Sequence, residues 1–385
     1  MNFRLEQRVK VISTGDMVDS VLDILQTEGY KKPLCVIDGF FLEHKKVKTL
    51  LEKIKSKGLD YVVYSEIKSD PSIESVDKGA QIYKENQCDS IISLGGGSVI
   101  DASRGINIVQ NGGGSSRDYV FDKEVEDFIG GQIAIPTTSG TGSELSNAVV
   151  ITDTTNNEKL TILANNAVSE YAVLDPELTL SVPTQMTIAT GLDAFGHALE
   201  GYTSKLSTPI TDALCEKIMF LIVNYLPKAV RNGEDKEARM EMMVAASLAG
   251  WLLNNAGTQL GHSQAHILGA KYKMPHGAAV AYATPGMIQY TSPHLPKKIR
   301  EVGNIMGAEF PPNATDFEIG TIVADKYKEF RDEVLGLRPF SEYGIDQADV
   351  IANAEAVANE RFAGNAPMDV DAKLAEKILS MFGEV

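Results

Sequence analysis

The chain has 385 residues, which exceeds what one ordinary core organises and points to two domains. Its formal net charge of -16 and pI near 4.9 leave no broad basic face, so nucleic acid and anionic membrane surfaces are excluded as expected partners. Three widely spaced cysteines, Cys35, Cys88 and Cys215, form no CxxC pair and no disulfide framework, which fits a reducing cytoplasm. The first ten residues lack the apolar core of a signal peptide. The longest apolar stretch, Met242 to Leu253, is short for a membrane span and reads as a buried helix.

Taken in chain order, apolar strand patterns alternate with amphipathic helix patterns. The pattern predicts strands over Pro33–Asp38, Asp60–Ser65 and Ser90–Leu94, with helices over Leu42–Lys57, Ser72–Asn86 and Val99–Ile108. A Gly/Ser loop, Gly112–Ser116, leads to a strand over Gln132–Ile135 and a hairpin pairing Ala148–Thr152 with Lys159–Leu163. Asn156–Glu158 forms its tip, and a strand over Tyr171–Leu174 follows. Alternating β and α predicts a parallel sheet covered by helices. From Thr184 onward helix-period patterns dominate, Arg231–Lys236 being a charged connection, so the expected domains are 1–183, α/β, and 184–385, all-helical.

Two segments of the first half suit phosphate. Gly95-Gly-Gly-Ser98-Val-Ile-Asp101 follows a buried strand and opens a helix, placing free amides where a pyrophosphate docks. The plainer reading is a tight connection with Ser98 as N-cap and Asp101 as its capping-box partner. The turn is not GxGxxG and follows the third predicted strand, so an ordinary Rossmann fingerprint is excluded, as is a GxxxxGK[ST] loop. Pro136-Thr-Thr-Ser-Gly-Thr-Gly-Ser-Glu144 offers further hydroxyls and amides, or is simply a flexible loop. Asp38, ending the first predicted strand, could accept hydrogen bonds from a ribose and repel a 2′-phosphate; it could equally be a turn residue before Gly39.

The second half carries four of the six histidines in two clusters: Asp193-Ala-Phe-Gly-His197, and His262-Ser-Gln-Ala-His266 followed by His276. Residues four apart share a helix face, so each cluster aims two polar groups one way. An Asp with imidazoles and no thiolate suits Fe(II), Zn(II), Mn(II) or Ni(II), not a closed structural zinc site. An i,i+4 histidine pair is commonly a surface or packing feature. These lie instead among Gly191, Gly196, Gly261, Gly269 and Gly277, where unpaired buried imidazoles are costly, which favours metal.

Together with Asp175-Pro-Glu-Leu-Thr179 and Thr190-Gly-Leu-Asp-Ala-Phe-Gly-His-Ala-Leu-Glu200, these motifs resemble the iron-containing, or group III, alcohol dehydrogenases, over most of the chain. The resemblance implies an N-terminal dinucleotide-binding α/β domain, a C-terminal all-helical catalytic domain and an active site in the cleft between them, the architecture shared with dehydroquinate synthase. It implies NAD(H) and a divalent metal, foremost Fe(II), acting on a small alcohol or its aldehyde in a homo-oligomer, a dimer or larger. By position it makes Asp193, His197, His262 and His276 the metal ligands, and His266 a histidine beside the nicotinamide that relays a proton. It places the pyrophosphate on the Gly95–Asp101 turn, chiefly Gly96, Gly97 and Ser98. Thr137 and Thr138 fall on the adenosine side, Lys159 on a ribose, and Asp38 as the acid favouring NAD. Departures are Ser263-Gln264, Ile267, Lys271 and Lys273 between the ligands, Asp70-Pro71 in place of a frequent Asn-Pro, and Ala148 in place of Asn.

Three other functions compete. A metallohydrolase needs a base beside the metal, and the histidine segment lacks the glutamate of HExxH; no GxSxG elbow is present. A lyase-type enzyme of the dehydroquinate synthase branch needs basic side chains for a phosphorylated substrate, whereas the histidine clusters are poor in arginine. A scaffold protein explains neither the histidines nor the glycine loops.

Overall fold

The computed structural model describes residues 3–156 and 158–384, so Asn157 at the expected hairpin tip lies outside the described residues. The chain divides into two compact units. One comprises Glu6–Thr138 and Gly142–Leu180; the other is chiefly Ser181–Val385, with Ser139–Thr141.

The first unit holds β1 (Lys10–Ser13), α1 (Met17–Glu28), β2 (Pro33–Ile37), α2 (Lys45–Ser56), β3 (Val62–Tyr64), α3 (Ile73–Glu85), β4 (Ser90–Gly95), α4 (Gly97–Gly112), α5 (Asp118–Phe121), β5 (Gln132–Pro136), β6 (Ala148–Asp153), β7 (Glu158–Leu163) and β8 (Tyr171–Leu174). Six of these strands form one parallel sheet in the order β1-β8-β5-β4-β2-β3, while β6 and β7 pair as an antiparallel hairpin.

Strand parity sorts the core. Leu34, Val36 and Ile91 pack on one face with α3 and α4. Cys35, Ile37, Ile92 and Leu94 pack on the other with Met17, Val21 and Leu25 of α1 and Val47, Leu50 and Ile54 of α2. Both faces of β2 and β4 are therefore covered, so every residue of each is buried; β2 reads as a continuous apolar run, and β4 is interrupted only by small Ser93.

Several boundaries differ from the sequence expectation. α1 was not anticipated, although Asp16 caps it and left-handed Gly29 ends it, and neither was the edge strand β1, whose residues are mostly exposed. The segment after Asp38 first makes a 3-10 turn, Gly39–Phe41, so α2 starts at Lys45 instead of Leu42.

Asp175 ties the unit together. Its carboxylate is fully buried, accepts from the Met17 and Glu177 amides at 3.0 Å each, and meets the Lys46 ammonium at 2.5 Å. The start of α1, the start of α2 and the end of β8 thus share one anion.

The second unit is helical: α6 (Thr184–Thr203), α7 (Pro209–Arg231), α8 (Lys236–Asn255), α9 (Leu260–Tyr272), α10 (His276–Thr291), α11 (Pro296–Met306) and α12 (Asp316–Glu329), followed by short turns and a final helix, Ala372–Leu379. α6 is buried almost all round, and the apolar run Met242–Leu253 lies inside α8. No helix among the described residues is long and apolar enough to cross a membrane.

Removing the shared anion leaves the Lys46 ammonium, of whose side chain only 17% is exposed, with Glu177 at 2.8 Å as its remaining carboxylate, and leaves the Met17 and Glu177 amides without their acceptor. Asp175→Ala is expected to destabilise the α/β unit by about 1–3 kcal/mol. Urea unfolding followed by far-UV circular dichroism checks this; an unchanged midpoint would show that water replaces the three bonds.

Candidate metal centre and cofactor loops

α6 carries Asp193 and His197 one turn apart, α9 carries His262 and His266 in the same relation, and His276 is the first residue of α10. The turn from α9 to α10 is short because Lys273 takes the left-handed conformation, φ 54°, and its neighbour Met274 donates back to the Gly269 carbonyl. His276 is thereby returned to the α9 histidines.

Glycines let the helices approach. A Cβ on Gly196 would stand 2.5 Å from Val280 of α10, and one on Gly277 would stand 2.1 Å from the Ala189 carbonyl oxygen of α6. The second obstacle is backbone, which cannot swing away.

The result is one carboxylate oxygen facing three imidazoles. Asp193 Oδ1 lies 3.5 Å from His276 Nε2, 3.6 Å from His262 Nε2 and 3.9 Å from His197 Nε2. Asp193, His262 and His276 form the tight group, with ligand atoms within 4.8 Å of one another, and His197 stands at its edge. Asp193 Oδ1 and His262 Nε2 are buried with no hydrogen-bond partner among the described residues.

These separations are too long for strong hydrogen bonds and suit a shared cation. Ligands about 2.1 Å from a tetrahedral ion sit about 3.4 Å apart. The donor set, one carboxylate and three imidazoles, matches a borderline divalent metal.

The electrostatics of Asp193, His197 and His276 agree. Burial works against the charge on Asp193, yet His197, His276 and His262 outweigh it and hold the carboxyl well below its usual range. Burial pushes His197 down to about 4 and lowers His276 too, with neighbouring imidazoles adding to the latter shift, so both keep a free lone pair near neutral pH. His262 goes the other way: burial opposes, but Glu200 and Asp193 carry it up to about 10.

Two carboxylates that sequence reasoning missed support the histidines. Glu200, fully buried on α6, meets His262 Nδ1 at 2.7 Å. Its position three residues after His197 placed it on the same face, so helical periodicity alone could have found it. Glu360 lies 3.3 Å from His266 Nδ1 and accepts from Ser263 Oγ at 2.7 Å and the Phe362 amide at 2.8 Å. Its 94-residue separation from His266 left no local signal. Ser263, one of the departures, thus holds Glu360; another, Lys271, donates to Asn353 Oδ1.

In the α/β unit, Asp38, Gly95–Ser98 and Thr137 follow β2, β4 and β5, three neighbouring strands, at their carboxyl ends. After β2 the chain moves to β3 on one side, and after β4 to β5 on the other. The gap between β2 and β4 is therefore the switch point where parallel sheets bind ligands.

α4 begins at Gly97 with Gly96 as N-cap and no side-chain cap, so the capping box through Ser98 and Asp101 does not form. Gly95 has no room for a side chain, its Cβ falling 2.7 Å from Val99, and a Cβ on Gly96 would stand 3.4 Å from Thr138 Oγ1. Asp101 turns inward: its oxygens meet Arg104 at 2.7 Å and the Val150 amide at 3.0 Å, bracing α4 against β6 instead of facing a ligand. Asp38 accepts from the Phe40 amide at 3.0 Å, the turn role, while staying partly exposed. Thr137 is buried and Thr138 partly so. Lys159 is exposed on β7 and pairs with Asp70 at 2.7 Å, joining two of the positions singled out from sequence.

The model of iron-containing alcohol dehydrogenases matches residues 9–176, and that of the C-terminal part of the Fe-containing alcohol dehydrogenase family matches residues 187–382. The chain belongs to the iron-containing alcohol dehydrogenase family. It is 34% identical over 328 residues to the NAD-dependent methanol dehydrogenase of Bacillus methanolicus, covering 85% of each chain. To the 1,3-propanediol dehydrogenase of Citrobacter freundii it is 34% identical over 281 residues, 72% of this chain and 73% of the relative. The solved alcohol dehydrogenase from Oenococcus oeni superposes with a TM-score of 0.91 at 30% identity, over 98% of this chain and 99% of that one.

The protein is accordingly an NAD-dependent alcohol dehydrogenase that acts on small alcohols or their aldehydes, and its cofactors are NAD(H) and a divalent metal. Neither the lyase-type nor the hydrolase alternative is favoured. The orphaned Asp193 Oδ1 and His262 Nε2 fit that metal.

Close helix approach at Gly277 is testable. Gly277→Ala is expected to displace α10 from α6, lower stability by about 1–3 kcal/mol and reduce metal content after reconstitution. Thermal denaturation and elemental analysis check both, and unchanged values would refute the claim that this contact sets the histidine spacing.

Proposed function

We propose that Asp193, His197, His262 and His276 hold Fe(II), with Zn(II), Mn(II) or Ni(II) as alternatives, and that the site interconverts a short primary alcohol or diol and its aldehyde. The observation that carries this reading is the buried Asp193 oxygen faced by three imidazole nitrogens at 3.5–3.9 Å. When bound, the metal supplies Lewis acidity to the substrate oxygen and NAD+ supplies the hydride acceptor. Asp193 contributes the one anionic ligand, tightening retention while leaving the ion enough positive charge to act.

His266 serves as the proton relay, and Glu360 holds its ring through Nδ1. Phe362, 5.4 Å away between ring centroids, limits ring rotation. In the α/β unit, read as the dinucleotide-binding domain, the uncapped amides at Gly96, Gly97 and Ser98 take the pyrophosphate. Asp38 takes the ribose hydroxyls, Thr137 and Thr138 flank the adenosine side, and Lys159 reaches a ribose. The helical unit from Ser181 onward is read as the catalytic domain. Methanol and 1,3-propanediol, named for two relatives, head the candidate substrates. A cytoplasmic homo-oligomer, a dimer or larger, completes the proposal.

The test is an anaerobic assay of metal-stripped protein with NADH and short aldehydes, adding back Fe(II), Zn(II), Mn(II) and Ni(II) separately. NADH oxidation is expected only with metal, and Asp193→Ala is expected to lose both metal and turnover. Silence with every metal and aldehyde would overturn the proposal. His266→Ala is expected to lower kcat about 100-fold or more and to change its pH profile; an unaltered profile would remove His266 from proton transfer.

A further inference from the structure

The Glu200 carboxylate sits where two jobs meet. Its Oε2 accepts from the Gln259 amide at 2.6 Å and the His262 amide at 3.1 Å, two of the free N–H groups at the start of α9, at its N-cap and third residue. α9 has no side-chain cap of its own, so a carboxylate from the neighbouring helix α6 caps it instead. Its other oxygen, Oε1, faces His262 Nδ1 at 2.7 Å. Space is reserved for this group, because a Cβ on Gly261 would stand 2.3 Å from Oε1.

A carboxylate offers only acceptors, so Nδ1 must carry a proton that it donates to Oε1, which makes Nε2 the nitrogen whose lone pair is available when a cation takes the place of its proton. That nitrogen is the one aimed at Asp193 Oδ1 and left without a hydrogen-bond partner. Asp193, His197 and Glu200 lie on one face of α6, so a single helix supplies two ligands and the acceptor that orients a third.

We propose that Glu200 is a positioning residue: by accepting from His262 Nδ1 while capping α9, it fixes the tautomer and ring orientation in which His262 Nε2 can ligate the metal. This rests on the ligand set proposed above. A carboxylate behind a ligating histidine also raises its basicity, and losing such a partner typically weakens metal affinity about 10–100-fold.

Glu200→Gln separates the two jobs. The amide oxygen can keep accepting from the Gln259 and His262 amides while its NH2 faces Nδ1, which must then act as acceptor. The ring proton moves to Nε2, toward the metal position. The expected result is a Co(II) affinity about 10–100-fold below wild type, measured by competition with a chromophoric chelator, and a weakened visible spectrum at limiting Co(II), with the metal-free melting temperature retained.

Wild-type Co(II) affinity in Glu200→Gln would overturn the inference and leave Glu200 as a helix cap only. Should the variant fail to fold, 15N NMR of the Zn(II)-loaded wild type decides: a proton on His262 Nδ1 supports the inference, and one on Nε2 overturns it. Wild-type protein that binds neither Co(II) nor Zn(II) would refute the ligand set itself, a result distinct from a variant that binds normally.

Discussion

An ionised carboxylate inside a helical bundle needs a reason to be there. Asp193 is 3% exposed, and its Oδ1 accepts no hydrogen bond among the described residues. Leaving such a charge uncompensated costs several kcal/mol, more than most single contacts can return. Three imidazole nitrogens face it at 3.5–3.9 Å, too far for strong hydrogen bonds, so the arrangement makes energetic sense around a cation, which both the carboxylate and the lone pairs can ligate. Much of the helical unit follows from that requirement: the histidines must come from three helices, and those helices must pack closely enough to bring them together.

Close packing explains the glycines better than flexibility does. Gly191 and Gly196 lie inside α6, where glycine is disfavoured by about 1 kcal/mol relative to alanine, and Gly277 lies in the first turn of α10. Each sits where a methyl group would collide: with Leu226, with Val280, and with the Ala189 backbone. Propensity is sacrificed for helix separation. Gly261 does the same for the Glu200 carboxylate. The signature Gly-Leu-Asp-Ala-Phe-Gly-His-Ala-Leu-Glu from Gly191 to Glu200 can thus be read as geometry, with two ligand candidates, two contact glycines and an orienting carboxylate on a single helix.

How much of this was legible in the sequence depends on range. The i,i+4 pairs Asp193/His197 and His262/His266 were visible because helical periodicity is local, and the strands β2 and β4 because double-sided burial makes them mostly apolar on both faces. β1 escaped, being an edge strand whose residues are mostly exposed, so no apolar run marks it. Asp101 was misassigned for a different reason. Its spacing after the glycine turn suggested a capping box, but Arg104, one turn further and fully buried, draws the carboxylate inward. Glu360 and its link to His266 through Ser263 could not be seen, because contacts between residues almost a hundred positions apart are made by packing and leave no periodic trace.

Two helix starts show how the same physics serves opposite ends. The first amides of any helix are unsatisfied and attract negative charge. At α9 the chain supplies that charge itself: Glu200 fills the position, and the bonds that satisfy the helix also orient a histidine. At α4 the N-cap itself supplies none, since Gly96 has no side chain, and Asp101 is committed to Arg104 and Val150. Amides left uncapped at the switch point of a parallel sheet are what an external anion requires, and in the proposed reading the pyrophosphate of the dinucleotide meets that requirement on backbone N–H groups. The acidity of the chain and its use of a phosphate-bearing cofactor are therefore compatible, because the attraction is confined to one turn of backbone.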